Sequence, residues 1–355
     1  MKVAFYAPLK PPDHPVPSGD RAMARAVMAA LARGGHAVHL ASTLQARDGA
    51  GDAQAQDAVF ATAAAEVTRL STDPQTRDCE AWITYHNYYK APDLLGPRIS
   101  RALGIPYLQI ESTRARKRLN GPWARFAAAA EAASDAAHTI LYLTHRDAET
   151  LRRDAPDGQV LRHLPPFLVT ESLPVASDLR GPMLSVGMMR AGDKRASYAL
   201  IAQTLAALPA DLNWRLDIAG DGAARAEVAA MMARFGDRVR LLGALDGDAL
   251  AAAYRRASLF LWPGVNEAFG LVYLEARAAG LPVVAQDRPG VRDVVTGAQP
   301  QVSAGPGAMA AMITTLLRDD SARWAAGQAA RQAVAARHLI GPAADTLTAV
   351  LEGAA

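Results

Sequence analysis

Short apolar runs alternate with alanine-rich helical stretches along the whole of this 355-residue chain, and that alternation points to parallel sheets sheathed in helices. The first half offers strands at VAFYA, AVHLA, AWITY, PYLQI and TILYL, with helices expected after Asp20, Pro92, Pro122 and Arg146. From Pro182 the pattern restarts: MLSVGM, WRLDIAG, VRLLG, LFLWP and PVVAQ are each followed by a helical stretch. The restart predicts two doubly wound α/β units, and the length suits two domains. Between them, Asp154 to Pro182 holds Pro156, Pro165, Pro166, Pro174 and Pro182, a density that predicts an extended linker with a boundary near residue 170. The expected domains are therefore 1–170 and 171–335. The remainder, 336–355, reads as a helix whose stripe of Ala343, Leu347, Val350 and Leu351 must pack on something.

Composition excludes several classes. The formal charge is 38 minus 35, or +3, too small an excess to coat a nucleic-acid duplex. The single cysteine, Cys79, cannot form an internal disulfide, and no Cys/His spacing suits structural zinc, so a reducing, cytoplasmic setting is expected. The apolar run before Pro8 is short for a signal peptide, and no uncharged stretch is long enough to span a bilayer. Peripheral attachment at the inner face of a membrane stays open.

The most informative stretch runs from Trp262 to Val295, a strand end, turn, helix, strand and glycine turn. Glu267 stands at the carboxyl end of a strand, Gly270 at the expected helix start and Glu275 about one turn inside. In an open α/β sheet, ligands sit beyond the carboxyl ends of the strands, where a helix N-terminus offers free N–H groups and a positive dipole. That suits a diphosphate. A carboxylate inside the helix suits the vicinal hydroxyls of a ribose, and one in the preceding loop can reach a sugar. Upstream, SVGMMRAGDKRASYALI places Arg190 and Lys194 between a strand and a helix, where two cations can hold a pyrophosphate and stabilise its developing charge.

Glu267 and Glu275 with seven residues between them, Phe269-Gly270-Leu271 inside, and Ala279-Gly280-Leu281-Pro282-Val283-Val284 following, resemble the donor signature of family 4 retaining glycosyltransferases, part of glycosyltransferase group 1 with the GT-B fold. The resemblance extends to Gly220-Asp221-Gly222, to AYRRASLFLWPG and to the proline-rich hinge. It implies two Rossmann-like domains facing a cleft, an N-terminal acceptor domain, a C-terminal nucleotide-sugar domain and a last helix returning to the first domain. It further implies transfer of a sugar, a hexose by preference, from a nucleotide-sugar donor to an acceptor hydroxyl with retention. Glu267 would serve the donor sugar, Arg190 and Lys194 the phosphates, the Phe269 to Leu271 backbone the diphosphate, and Glu275 the ribose. Gly220, Gly222 and Gly19 would be further donor contacts. The loop bearing Arg190 departs from the family pattern, since Met188 and Met189 intervene after the strand glycine. Gly19 is followed by Asp20 rather than a second glycine, and Asp20 reads as an N-cap.

In the first domain, Tyr85-His86-Asn87-Tyr88-Tyr89 follows a strand and brings aromatic, imidazole and amide groups of the kind sugar recognition uses. The next strand ends in Glu111, where the resembled family often has a histidine near the donor sugar, and by that resemblance His86 and Glu111 would be catalytic, facing the reacting centre from this domain. Arg114, Arg116, Lys117, Arg118 and Arg125 form a basic run, read as a solvated face or as contact with an anionic acceptor or acidic lipid surface. The acceptor class, whether glycan, lipid-linked or small molecule, is left open by these residues. Asp246-Gly247-Asp248 looks like a D-x-D metal motif but sits where a helix needs a cap, so no metal is expected. No NAD fingerprint is present. An epimerase on the same fold, or a sugar-nucleotide-binding protein without turnover, stays as an alternative.

Overall fold

The structure is a computed structural model that describes residues 1–16 and 18–354; Pro17, one of the prolines of the first long loop, lies outside the described residues. The chain divides into two compact units, Met1–Val169 with Ile340–Ala355, and Thr170–Leu339.

The first unit runs β1 (Lys2–Tyr6), α1 (Gly19–Arg33), β2 (Ala37–Ser42), α2 (Ala53–Thr72), α3 (Pro74–Arg77), β3 (Ala81–Tyr85), α4 (Gly96–Leu103), β4 (Tyr107–Ile110), α5 (Ala124–Ala136), β5 (Thr139–Tyr142), α6 (His145–Asp154) and β6 (Val160–His163). Its strands form one parallel sheet in the order β2-β1-β3-β4-β5-β6. The central strands are apolar on both faces because helices cover both: every residue of β3, β4 and β5 is buried.

Elements absent from the sequence expectation include the short α3, the helix α2 and the strand β6. The 20-residue helix α2 carries three buried residues, Gln56, Ala63 and Leu70. So thin a stripe gives little periodicity to read. β6 lies inside the stretch expected to be linker; as an exposed edge strand it needs no continuous apolar run.

The second unit runs β7 (Met183–Val186), α7 (Asp193–Ala206), β8 (Leu216–Ala219), α8 (Arg225–Met232), β9 (Val239–Gly243), α9 (Gly247–Arg256), β10 (Phe260–Leu261), α10 (Leu271–Ala278), β11 (Val283–Val284), α11 (Pro289–Arg292), α12 (Gly305–Arg318) and α13 (Asp320–Arg337). Its parallel sheet has the order β11-β10-β7-β8-β9, the doubly wound pattern in which the winding reverses between β7 and β10. In the first sheet the reversal falls between β1 and β3. Loops that leave adjacent strands at such a point splay apart and leave a crevice.

The last helix, α14 (Ile340–Ala354), belongs to the first unit and packs on α1. Ile340, Ala343, Ala344, Leu347 and Leu351 are buried there, whereas Val350 is half-buried. Gly34 marks the close approach: a Cβ on it would lie 2.5 Å from Thr348 Oγ1. The same hydroxyl is 3.1 Å from His36 Nε2.

Candidate functional site

Both switch points carry chemistry. In the second unit the loop after β7 leads through Gly192, at φ 76°, into α7, so Lys194 sits in that helix's first turn. The loop after β10 leads through Asn266, at φ 51°, and Gly270, at φ 62°, into α10. Gly270 is the N-cap and no side chain caps the helix, which leaves its first N–H groups free for an anion.

The two loops are locked together. Lys194 pairs with Glu267, and Trp262 Nε1 donates to the same carboxylate oxygen at 3.1 Å. The Lys194 ammonium also lies 5.2 Å from the Trp262 ring centre. Asn266 Nδ2 donates to Asp193 Oδ2 at 3.0 Å, and Val265 N donates to Ser197 Oγ at 3.1 Å. Gly187 leaves room for Trp262, since a Cβ there would come within 2.7 Å of the ring. α11 packs against the loop through Gly290, whose Cβ would meet the Glu267 carbonyl at 2.2 Å.

Glu275 faces inward from α10 and accepts a 2.8 Å hydrogen bond from the Tyr254 hydroxyl. Burial pushes its carboxyl up, with the tyrosine bond opposing. Arg190 is exposed, and among the described residues no carboxylate pairs with it. Phe269 is buried beside Gly270 and Leu271. Gly220 and Gly222 serve packing: a Cβ on either would strike the backbone carbonyl of Gly187 or Met189 at 1.9 or 2.4 Å. They keep the ends of β7 and β8 close. Asp246 caps α9 by accepting from Ala249 N at 3.1 Å.

In the first unit, α1 begins at Gly19, which is exposed with open space where a Cβ would be. Its N-cap is Ser18, which accepts from Arg21 N, and not Asp20 as the sequence suggested. Asp20 instead points across the β1/β3 switch point and pairs with His86 Nδ1 at 2.6 Å. Its other oxygen, Oδ2, is buried with no hydrogen-bond partner among the described residues.

His86 and Glu111 end adjacent strands and both adopt left-handed backbone, at φ 64° and 58°. For residues with a Cβ that conformation is strained, and it clusters at functional sites. The Tyr85 hydroxyl donates to Glu111 Oε2 at 2.5 Å. Burial pushes the carboxyls of Glu111 and Asp147 up. Burial also works against charge on His86, yet Glu111, the Asp20 hydrogen bond and Asp147 outweigh it and raise the imidazolium to about 9. At neutral pH His86 is therefore a cationic donor rather than a base.

Because the folded value lies above the ordinary 6.5, this group's stabilisation is fully present below about pH 6.5 and is lost as pH rises through about 9. His86→Gln is expected to flatten that part of the stability profile, read as the urea midpoint against pH. An unchanged slope would count against the charged imidazole.

Sequence reasoning missed Asp20 and Asp147 as partners of His86, and Trp262 and Tyr254 as the groups that orient the two glutamates. Trp262 stands directly after its strand, which is the available signal; the others meet only through the sheet. Asn87 is buried, with Nδ2 donating to Ala130 O and Ser134 Oγ at 3.0 Å, so it is structural rather than sugar-facing. His163 lies on β6, stacked on Tyr142 with ring centres 5.1 Å apart, and not in a linker. The basic run is mostly neutralised. Arg114 is buried between Glu131 at 3.0 Å and Asp135 at 2.5 Å, Arg116 lies 3.5 Å from Asp154, and Arg125 pairs with Asp57. Lys117 is exposed, but a continuous basic face through Arg114 and Arg116 does not form. No helix among the described residues is long and apolar enough to cross a membrane.

Comparison with known proteins agrees with this architecture. Residues 182–319 match the family Glycosyl transferases group 1. A GDP-mannose-dependent alpha-mannosyltransferase from Mycolicibacterium smegmatis is 37% identical over 139 residues, 38% of this chain and 35% of the relative. The lipopolysaccharide core biosynthesis mannosyltransferase LpsB of Rhizobium meliloti is 28% identical over 65% of this chain and 66% of its own. The chain thus spans about a third of the mannosyltransferase it matches, and 22% of the Salinispora arenicola D-inositol 3-phosphate glycosyltransferase. In fold, sucrose-phosphate synthase from Thermosynechococcus elongatus aligns with a TM-score of 0.72 at 19% identity, covering 99% of this chain and 98% of that one. Anabaena HepE, solved with UDP and glucose, aligns at 0.71 and 15% identity over 99% of this chain and all of its own. Residues 182–319 therefore resemble glycosyl transferases group 1, and the chain that carries them has the GT-B fold.

Proposed function

We propose that the protein is a retaining glycosyltransferase that moves a sugar from a nucleotide-sugar donor to an acceptor hydroxyl without a metal ion. The observation that carries this reading is the β7/β10 switch point. There Lys194, in the helix after β7, pairs with Glu267, in the loop after the neighbouring strand β10, and that loop leads into the uncapped start of α10, which carries the inward carboxylate of Glu275. A diphosphate at the helix start would meet free N–H groups and a lysine, with Arg190 at the adjoining loop, which together do the charge stabilisation a divalent ion does elsewhere. Glu275, further along the same helix, is placed to accept from ribose hydroxyls, and Glu267 from the donor sugar. The names of the relatives, mannosyltransferases among them, support the same class.

In the transfer step the bond from the sugar's anomeric carbon to phosphate breaks and the acceptor oxygen bonds to that carbon on the same face. The acceptor's proton goes to the departing phosphate. His86, held as a cation, and Glu111 are the first unit's groups for positioning the acceptor.

The test is incubation with UDP-, GDP-, ADP- and dTDP-sugars plus candidate acceptors, in EDTA, with the product's anomer read by NMR. Free nucleotide and an α-glycoside from an α-linked donor are expected. An isomerised nucleotide sugar would identify an epimerase instead, and binding without conversion a protein that lacks turnover. Glu275→Ala is expected to weaken nucleoside diphosphate binding by about 1.5–3 kcal/mol in calorimetry. Glu275→Gln, which keeps an acceptor for Tyr254, separates ribose contact from local packing. Wild-type affinity in both would remove the ribose role.

A further inference from the structure

Beyond His86 the loop after β3 continues into a chain of rings that the transfer chemistry does not use. Ring centres step from His86 to Tyr88 at 4.9 Å, Tyr88 to Tyr89 at 5.6 Å, and Tyr89 to Trp123 at 5.8 Å. Two cations converge on the far end. Lys90 Nζ lies 5.7 Å from the Tyr89 ring centre and 4.9 Å from that of Trp123. The Arg118 guanidinium lies 5.1 and 5.7 Å from the same two centres.

The box is rigid. Trp123 Nε1 donates to Asp48 O at 3.1 Å, Asp48 N donates to Lys90 O at 2.9 Å, and Gln56 Nε2 donates to Pro122 O at 2.9 Å. A Cβ on Gly51 would fall 2.5 Å from Pro122 Cβ, so that turn is pressed against the same wall.

The cations have no carboxylate of their own. Among the described residues neither Lys90 nor Arg118 is in a salt bridge, in contrast to Arg114, Arg116 and Arg125 of the neighbouring run. Asp48, whose backbone touches the box, spends its carboxylate on Ala50, Gly51 and Asp52 N–H groups and on Gln56. Arg118 Nε is buried with no hydrogen-bond partner among the described residues. Two like charges on one pair of rings repel each other, and an arginine donor out of water needs an acceptor. An anion bound beside the two cations offsets their repulsion.

We propose that Tyr88, Tyr89 and Trp123, with Lys90 and Arg118, bind the anionic group, a phosphate or carboxylate, of the sugar acceptor. Rings beside His86 stack on a sugar face, and the two cations take the charge at the far end. The assignment rests on the glycosyltransferase reading for the word acceptor, but the binding site itself does not.

The test titrates the full chain with glucose 6-phosphate, glucuronate and glucose, and in parallel sediments it with vesicles of phosphatidylglycerol or of phosphatidylcholine. A soluble acceptor is expected to show as binding of an anionic sugar about tenfold or more tighter than glucose, weakened by salt. Retention by phosphatidylglycerol vesicles instead assigns the anion to a lipid-linked acceptor. In either arm the double variant Lys90→Gln/Arg118→Gln should lose the binding while nucleoside diphosphate affinity is unchanged, which also shows that the variant is folded. Should the double variant be unstable, Lys90→Gln alone, half-exposed, reads the same loss. Equal affinity for charged and neutral sugars with no vesicle retention, or binding that survives the substitutions, overturns the proposal. Loss of nucleotide binding in the wild type would fault the donor assignment alone.

Discussion

Lys194→Ala is expected to lower the turnover of sugar transfer by roughly 10²–10³-fold, the usual cost of removing one preorganised group from charge developing in a transition state. The geometry makes this the largest single effect at the second unit's site. The ammonium is fixed in the first turn of α7 by Glu267 and lies over the Trp262 ring, so it is in place before any ligand arrives. In the proposed transfer its charge would need no reorganisation at the moment of bond breaking. Substitution also frees Glu267, whose oxygen then keeps the Trp262 indole N–H as its partner, so the fold should persist. Arg190→Ala, at an exposed guanidinium, should cost less. Saturating-donor kinetics on both variants, with circular dichroism as the folding control, check the order. Near wild-type turnover in Lys194→Ala would move the phosphate site elsewhere.

The second large effect is on stability. Leu347→Ala should destabilise the first unit by about 2–5 kcal/mol, the range for a buried leucine truncated to alanine. Leu347 is 1% exposed where α14 lies on α1, next to Ala343, Ala344 and Leu351. The helices come so close at Gly34 that neighbouring atoms have little freedom to fill the void. Deletion after Gly341 removes the whole stripe and uncovers an apolar face of α1, so a larger loss and aggregation are expected. Urea unfolding followed by circular dichroism measures both. A deletion variant as stable as the full chain would make α14 a dispensable tail.

The alternation of apolar runs was enough to find ten of the strands, and most plainly the central ones, since a strand buried on both faces must be written in consecutive apolar residues. VAFYA and AWITY have no other reading. The edge strand β6 and the thinly buried helix α2 escaped for the opposite reason: each hides few side chains, so burial leaves little periodicity in them. At the second unit's site the spacing of Glu267, Gly270 and Glu275 was legible, since all three lie on one loop and the helix that follows it. Local chain geometry sets their separation. What pairs with them was not legible. Lys194 is 73 residues from Glu267, and Tyr254 is 21 from Glu275.

The first unit shows the limit more sharply. From sequence, Asp20 is an ordinary helix-start acid and Glu111 a departure from a resembled pattern. The parallel sheet places the ends of β1, β3 and β4 side by side. Asp20 then reaches His86, Tyr85 reaches Glu111, and three carboxyl groups converge on one imidazole. The basic run was equally opaque: its charges are visible in the sequence, but which are cancelled depends on Glu131, Asp135, Asp154 and Asp57 coming near. The sequence by itself determined the two α/β units and the order of groups along each loop, because burial and chain geometry act locally. Only the tertiary structure decided protonation, pairing and which cations remain free, because electrostatic energies depend on distances through space between residues far apart in the chain.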